Sequence, residues 1–404
     1  MSLQIAFEVL FWLALGVVFY IYAGYPLLLL LLSAVRGKPI RRADYTPTVT
    51  VIIAAYNEER DLAAKLENTL ALDYPPTHLE IIVTSDCSQD RTDEIALSYA
   101  SRGVQLHRQT ERLGKTAAQN AAAEKARGEI LLFSDATTHY QPDVLRLLVP
   151  NFADPEVGCA TGRVIYAADA ESTVGHGTRS YWSYEFLLKR CESSITSLIG
   201  VCGCMYAVRK SAYVPLYHEA CSDFVIATVM VQQGLRAVYE PAAVCWEEPN
   251  AQANRELAVR VRITTQTFAD LWRNRHMLNP LRHGFYAIQL WSHKILRYMV
   301  PLFLLITLIT SAVLAPGSWV YSLIFLAQVA FYLLAAVSWL FEKVGVKSFL
   351  LAIPQYFVIT NLASLLAFIK LIRGERYIRW EPVRDQQISS GKPPAIISST
   401  ERSA

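Results

Sequence analysis

Three stretches of the chain carry no charged side chain: Val9 to Val35, Tyr298 to Phe341 and Phe349 to Ile369. A helix needs about 20 apolar residues to cross the hydrocarbon core of a bilayer. Pro316-Gly317 divides the second stretch, so the pattern predicts about four potential crossings, one before and three after a mixed middle region. The first stretch lacks a basic start, is too long for a signal-peptide core, and runs into Arg36-Gly37-Lys38 instead of a small-residue cleavage site. It reads as a retained anchor. Arg36, Lys38, Arg41 and Arg42 crowd its far end, against Glu8 at its start. The positive-inside tendency then places the middle region in the cytoplasm. The end of the chain is also basic, with Lys370, Arg373, Arg376, Arg379 and Arg384. Three full later crossings would carry these to the opposite side, and Pro354 inside the last run offers a re-entrant or interfacial alternative.

The middle region alternates between two periods. Thr48–Ala55, Leu79–Thr84 and Glu129–Phe133 are β-rich apolar runs, with a shorter one at Val104–Leu106. Between them, Glu59–Leu72, Asp90–Ser101, Thr116–Ala126 and about Pro142–Phe152 have helical spacing. Strands alternating with helices of that length predict an α/β fold with a mostly parallel sheet and right-handed crossovers. The resulting division is an N-terminal membrane helix with its basic flank over 1–40 and a cytosolic α/β domain over 41–280. An interfacial helix with further membrane helices follows over 281–372, and a polar, partly disordered tail over 373–404.

Composition agrees with this division. The hydrophobic share is 53% and the charged share 18%, below the ~25% charged of soluble domains. The 38 Lys+Arg against 35 Asp+Glu leave a net charge of +3, which disfavours a nucleic-acid partner. All seven cysteines lie in the middle region. An odd number in a reducing compartment reads as free thiols, and Cys202-Gly203-Cys204 reads as small buried residues more readily than as a metal or redox pair.

In such a sheet, ligands bind beyond the carboxyl ends of the strands. The first strand runs into Tyr56-Asn57-Glu58, the second into Ser85-Asp86, and the third long run into Ser134-Asp135. One Asp after a strand is ordinarily a turn former or a helix cap. Three carboxylates on one edge repel unless a cation compensates, and a divalent metal holding a phosphate meets that need. Arg112-Leu113-Gly114-Lys115 adds a glycine and an ammonium before the alanine-rich helix, at its positive end. No Walker loop and no G-x-G-x-x-G follows a strand, which disfavours P-loop nucleotidases and dinucleotide enzymes.

The ordered set Ala54-Ala55-Tyr56-Asn57-Glu58, Thr84 to Thr92, Gly114-Lys115, Ser134-Asp135-Ala136-Thr137 and Ser222-Asp223-Phe224 resembles the family-2 glycosyltransferases. It is most similar to their membrane-embedded branch, which includes hyaluronan, cellulose and poly-N-acetylglucosamine synthases. The resemblance implies a GT-A fold, a nucleotide-diphospho-sugar donor such as a UDP-sugar, and Mg²⁺ or Mn²⁺. By matched position it puts Tyr56, Glu58 and Asp86 at the nucleoside, Lys115 on the nucleotide side, and Asp135 at the metal. Asp223 takes the place of the general base of an inverting displacement. Gly203 with Cys202, in the segment Gly200 to Tyr206, resembles the acceptor side.

Departures from the family pattern bear on the site. The metal motif ends in Thr137 where a second acid is usual, so a hydroxyl or a bound water would complete it. Ser222, not an acid, precedes Asp223. The glutamine/arginine/tryptophan signature of processive synthases is missing, and Arg260 with Arg262 stands at its counterpart. These guanidiniums suit a diphosphate or, equally, an interfacial basic helix meeting lipid phosphates. Trp291 to Lys294 with Arg297 reads as an interface anchor in which His293 is structural. Trp246, Glu247 and Glu248 either cap a strand or shape the acceptor site, and Trp380 and Arg384 are candidates to fold back on the catalytic domain. The expected function is sugar transfer from a cytosolic donor to a growing polysaccharide, in a plasma- or inner-membrane protein whose partners are donor, glycan or lipid-linked acceptor, and bilayer. One-step transfer to a lipid and a catalytically silent membrane subunit are the alternatives.

Overall fold

The computed structural model of the chain describes residues 3–166, 173–247, 253–344, 346, 348 and 350–375. Glu248, Trp380, Arg384 and the tail from 376 onward lie outside the described residues. The chain divides into two compact units, one built from Arg36–Ala167 and Lys189–Pro249, the other from Met1–Val35, Ala168–Leu188 and Asn250–Glu375.

The first unit is an eight-stranded sheet in the order β3-β2-β1-β4-β7-β6-β8-β5. Its strands are β1 (Val49–Ala55), β2 (Leu79–Ser85), β3 (Val104–Arg108), β4 (Ile130–Asp135), β5 (His139–Tyr140), β6 (Val157–Tyr166), β7 (Met205–Arg209) and β8 (Arg236–Glu247). β1, β2, β3 and β4 run parallel. All seven residues of β1 are buried, as a strand covered on both faces requires. That explains the unbroken apolar run TVTVIIAA. Of the helices that follow these strands, Leu62–Leu70, Thr92–Ser98 and Val144–Leu148 are shorter than the spacing suggests, whereas Lys115–Lys125 has the expected length, one residue earlier. β7 is antiparallel to both β4 and β6, so the sheet is mixed beyond β4. The expected α/β architecture with a mostly parallel sheet is present.

The second unit is helical. Leu3–Arg36, Pro280–Gly317, Trp319–Lys343 and Ala352–Ile372 are long and apolar enough to cross a membrane. Their outward faces carry exposed Leu13, Leu326 and Leu333, a pattern that suits lipid and would be costly in water. Pro354 falls in the first turn of Ala352–Ile372, where the N–H groups have no intrahelical partner to lose. That helix therefore continues for 21 residues. Two π-helical turns, Tyr20–Gly24 and Leu290–Leu296, interrupt the apolar helices. Each precedes a proline, Pro26 or Pro301, whose ring would clash with the carbonyl four residues back in regular α-geometry.

Candidate active site

Strand register brings the acidic candidates to one edge. Ala54 pairs with both Thr84 and Asp135, so the turns after β1, β2 and β4 leave the sheet at the same level. Asn57 and Cys87, in the first two of these turns, have φ of 54° and 61° and are the non-glycine residues with positive φ among those described. Such backbone costs energy for a side chain, and here it lets the turns lock together. The Asn57 side chain accepts from the Gln89 N–H at 2.8 Å, and the Ser88 hydroxyl accepts from the Asn57 N–H at 3.1 Å. Glu58 is buried, and its N–H donates to the Thr92 hydroxyl at 2.7 Å. Half-buried Tyr56 lies under the Arg112 guanidinium, 3.8 Å from its ring centroid, a cation–π stack.

Asp86 is buried, and its two carboxylate oxygens accept the N–H groups of Leu113 and Gly114, each at 2.9 Å. Gly114 holds φ at +94°, a conformation that glycine adopts without strain. This clamp fixes the start of helix Lys115–Lys125 and so aims Lys115. The Lys115 ammonium pairs with Asp135 and donates to the Gly203 carbonyl at 3.2 Å. Burial alone would depress its pKa, but Asp135 and then Asp223 reverse this and hold it above the usual lysine value. Asp223, half-buried at the start of helix Ser222–Gln232, accepts from the Cys221 thiol at 2.9 Å. A β-carbon on Gly203 would stand 3.1 Å from the Asp223 Oδ2, so the missing side chain leaves that oxygen accessible. Cys202 is buried, with its N–H on the Thr161 hydroxyl at 3.0 Å and its sulfur 3.2 Å from that of Cys204. The Cys204 sulfur is 3.7 Å from Cys245, and all these thiols are free.

Thr137 is exposed, whereas Thr138 is buried and its hydroxyl donates to Glu247 at 2.6 Å. Glu247 closes β8, half-buried. Loss of water around it, followed by repulsion from Asp135, lifts its carboxyl pKa to about 7. Lys65, fully buried, donates to the Thr138 carbonyl at 2.7 Å and lies 3.5 Å from the centroid of the Tyr140 ring. Its burial lowers its pKa to about 7, against the pull of neighbours that include Asp135 and Glu247. Neither residue stands in a motif, and no sequence spacing connects helix Leu62–Leu70, the turn after β4 and the end of β8.

The structure thus gathers Tyr56, Glu58, Asp86, Lys115, Asp135, Cys202, Gly203 and Asp223 in the sheet unit. Arg260 and Arg262 belong to helix Ala253–Arg273 of the helical unit. There the Arg260 Nε donates to Glu256 at 2.7 Å, and Arg260 also bonds the Tyr356 hydroxyl. His293, buried, has its Nε2 at 3.2 Å from the Glu185 carboxylate.

Comparisons with known proteins bear on the family and the fold. Residues 50–214 match the glycosyl transferase family 2 model. The poly-beta-1,6-N-acetyl-D-glucosamine synthase of Staphylococcus aureus is 26% identical over 251 residues, which cover 60% of this chain and 56% of that protein. The hyaluronan synthase of Streptococcus pyogenes is 30% identical over 190 residues, covering 45% and 43%. The chain therefore spans about half the length of these relatives. Among solved structures, a mannosyltransferase from Pyrobaculum calidifontis, in complex with GDP-Man and Mn²⁺, superposes with a TM-score of 0.69 at 23% identity, over 91% of this chain and 100% of that one. The fold of the sheet unit is accordingly of the GT-A type. Residues 50–214 form a glycosyl transferase family 2 domain, in a chain related to the polysaccharide synthases.

Proposed function

We propose that the protein is a membrane-bound inverting glycosyltransferase that moves a sugar from a nucleotide-diphospho-sugar, a UDP-sugar, onto a growing polysaccharide. The observation that carries this reading is the placement of one ammonium, Lys115, beside Asp135 and within the field of Asp223, with Glu247 next to Asp135. Among the described residues no group of three His, Cys, Asp or Glu side chains is set to hold a metal ion, so Asp135 and Glu247 are the two carboxylates this reading offers to a hard divalent cation. The raised pKa of Glu247, driven first by burial and then by Asp135, marks negative charge that the protein alone does not fully compensate. In this reading Asp135 and Glu247, with the Thr137 hydroxyl, would hold Mg²⁺ or Mn²⁺. When bound, the ion supplies positive charge to the leaving diphosphate.

The protein's own groups do the rest. Tyr56, Glu58 and Asp86 line the nucleoside side, where Asp86 also keeps the loop before Lys115 in place. Asp223 takes the proton from the acceptor hydroxyl as that oxygen attacks the anomeric carbon. The bond from that carbon to the diphosphate breaks with inversion, and Lys115 stabilises the negative charge that leaves. The bare Cα of Gly203 leaves room for the acceptor next to Asp223. The apolar helices support a membrane location, read here as the plasma or inner membrane, and the basic flank Arg36 to Arg42 favours a cytoplasmic sheet unit.

The test is a panel of labelled nucleotide sugars supplied to the purified chain in lipid, with diphosphate release and product length read together. Long polymer is expected. A single sugar added to lipid would replace polymerisation by one-step transfer. No diphosphate release from any donor, with an Asp223→Asn variant behaving like wild type, would leave only a silent subunit.

A further inference from the structure

Just before β7 the chain turns tightly, with the Met205 N–H donating to the Cys202 carbonyl at 3.0 Å. The turn brings the Cys202 and Cys204 sulfurs to 3.2 Å from each other. The Cys204 sulfur also lies 3.7 Å from that of Cys245 in β8. None of these thiols is in a disulfide. A buried thiol usually does no more than fill space, but one in contact with a second sulfur has a reaction open to it that a lone thiol lacks.

Two features favour that reaction here. Hydrogen bonds from the Cys204 thiol and then the Cys245 thiol hold the Cys202 pKa well below the usual thiol value, against the effect of burial. The thiolate is the form that attacks an oxidant. Cys202 and Cys204 are also 5% and 6% exposed, whereas Cys245 is 0% exposed, so a small oxidant reaches the turn before it reaches β8. The turn is tied in addition to the candidate active site. Its Gly203 carbonyl accepts from the Lys115 ammonium at 3.2 Å, and the Gly203 Cα faces the Asp223 carboxylate. The Val201 N–H donates to the Asp223 carbonyl at 2.8 Å, and the Tyr140 hydroxyl donates to the Cys204 carbonyl at 3.3 Å. A shift of this turn is felt at Lys115 and Asp223 together.

We propose that Cys202 and Cys204 are a modification site, a thiol pair that a hydroperoxide oxidises reversibly to a disulfide, and that the new bond pulls the Gly203 turn out of its fit to Lys115 and Asp223. The Cys202 thiolate attacks a peroxide oxygen, the O–O bond breaks, and the departing hydroxide takes a proton to become water, leaving a sulfenic acid. The Cys204 thiol attacks that sulfur, its proton goes to the departing hydroxide, and a second water forms with the S–S bond. Two thiols thus lose two electrons and two protons, and one hydrogen peroxide becomes two waters. The sulfurs close from 3.2 Å to about 2.05 Å, a movement of about 1 Å. The bond spans a single intervening residue, and such a strained disulfide is readily reduced again. The modification stands by itself, and its effect on turnover rests on the transferase reading.

The test treats the full chain in lipid with hydrogen peroxide, blocks the remaining thiols with N-ethylmaleimide, and maps the cysteine linkages by peptide mass spectrometry, before and after dithiothreitol. A Cys202–Cys204 link that dithiothreitol removes is expected. A Cys204–Cys245 link would also support the site, with Cys204 still its centre. No link through Cys204, or links confined to Cys87, Cys159, Cys191 or Cys221, would overturn the proposal. Sugar transfer is read on the same samples and is expected to fall by up to about a hundredfold, the cost of a displacement of about 1 Å at a reacting site, and to return with dithiothreitol. Cys204→Ser should lose both the link and the response, and a fall in transfer undiminished in that variant would overturn the coupling to the turn. The linkage map of the wild-type chain needs no variant, so it decides the modification even where Cys204→Ser misfolds. Absence of transfer before any treatment would count against the transferase reading and leave the map to decide the disulfide.

Discussion

The two units treat buried charge in opposite ways. In the sheet unit, Asp135, Asp223 and Glu247 stand near two ammoniums, Lys115 and Lys65, and acid is in excess. In the helical unit each guanidinium has its own carboxylate, Arg260 with Glu256 and Arg297 with Glu185. An ion pair closed within the protein supports the fold. An uncompensated set of like charges does not, because desolvation and repulsion raise its free energy until a ligand of the other sign arrives. The difference teaches where to look for chemistry: removing one carboxylate has opposite consequences in the two units.

The largest effect is expected at Asp223, the proposed base. Asp223→Asn should lower sugar transfer by about 10²–10⁴-fold while leaving nucleotide binding in place, read by diphosphate release alongside equilibrium donor binding. Glu256→Gln in the helical unit strands the Arg260 charge and should cost roughly 3–5 kcal/mol of stability, seen as a lowered Tm in detergent. If that variant were neutral, the contrast between closed and open charge sets would fail. Gly114→Ala forces a side chain into φ +94° and disturbs the Asp86 clamp. A loss of about 1–2 kcal/mol is expected, with weaker donor binding.

The smallest effect has the opposite sign. Glu247 holds its proton up to about pH 7 in the folded protein, whereas an unfolded glutamate ionises near about pH 4.3. Stability from the neutral form is therefore full below the unfolded pKa and is lost as pH rises through about 7. Glu247→Gln escapes that loss. In metal-free buffer its Tm should exceed that of wild type by a margin that grows from about pH 5 to about pH 8, a gain on the order of 1 kcal/mol at the upper end. Added Mn²⁺ should raise the wild-type Tm at about pH 8 more than that of the variant. An equal rise in both would remove Glu247 from the proposed metal site.

Much of this was legible along the chain. β1, β2 and β4 are local facts, since a short apolar β-rich run bounded by turn residues has few other uses. The same holds for the four apolar helices, whose lengths follow from bilayer thickness. The edge carrying Glu58, Asp86 and Asp135 followed from the rule that parallel strands present their carboxyl ends together. Helix limits were less legible: the segment read as Asp90–Ser101 is helical over Thr92–Ser98, because Asp90 bonds the Thr92 N–H and hydroxyl instead of entering the helix.

The sequence by itself determined that apolar crossings flank an α/β domain, and which acids end its parallel strands, because periodicity and turn chemistry act over a few residues. Tertiary structure alone decided that Glu247, 112 positions after Asp135, lies beside that carboxylate, and that Lys65 is buried against the Thr138 carbonyl in the turn after β4. It also decided that Arg260 lies with Tyr181 and Tyr356 in the helical unit. These groupings come from long-range strand pairing and helix packing, in which the partners are chosen by burial and charge and leave no spacing to read.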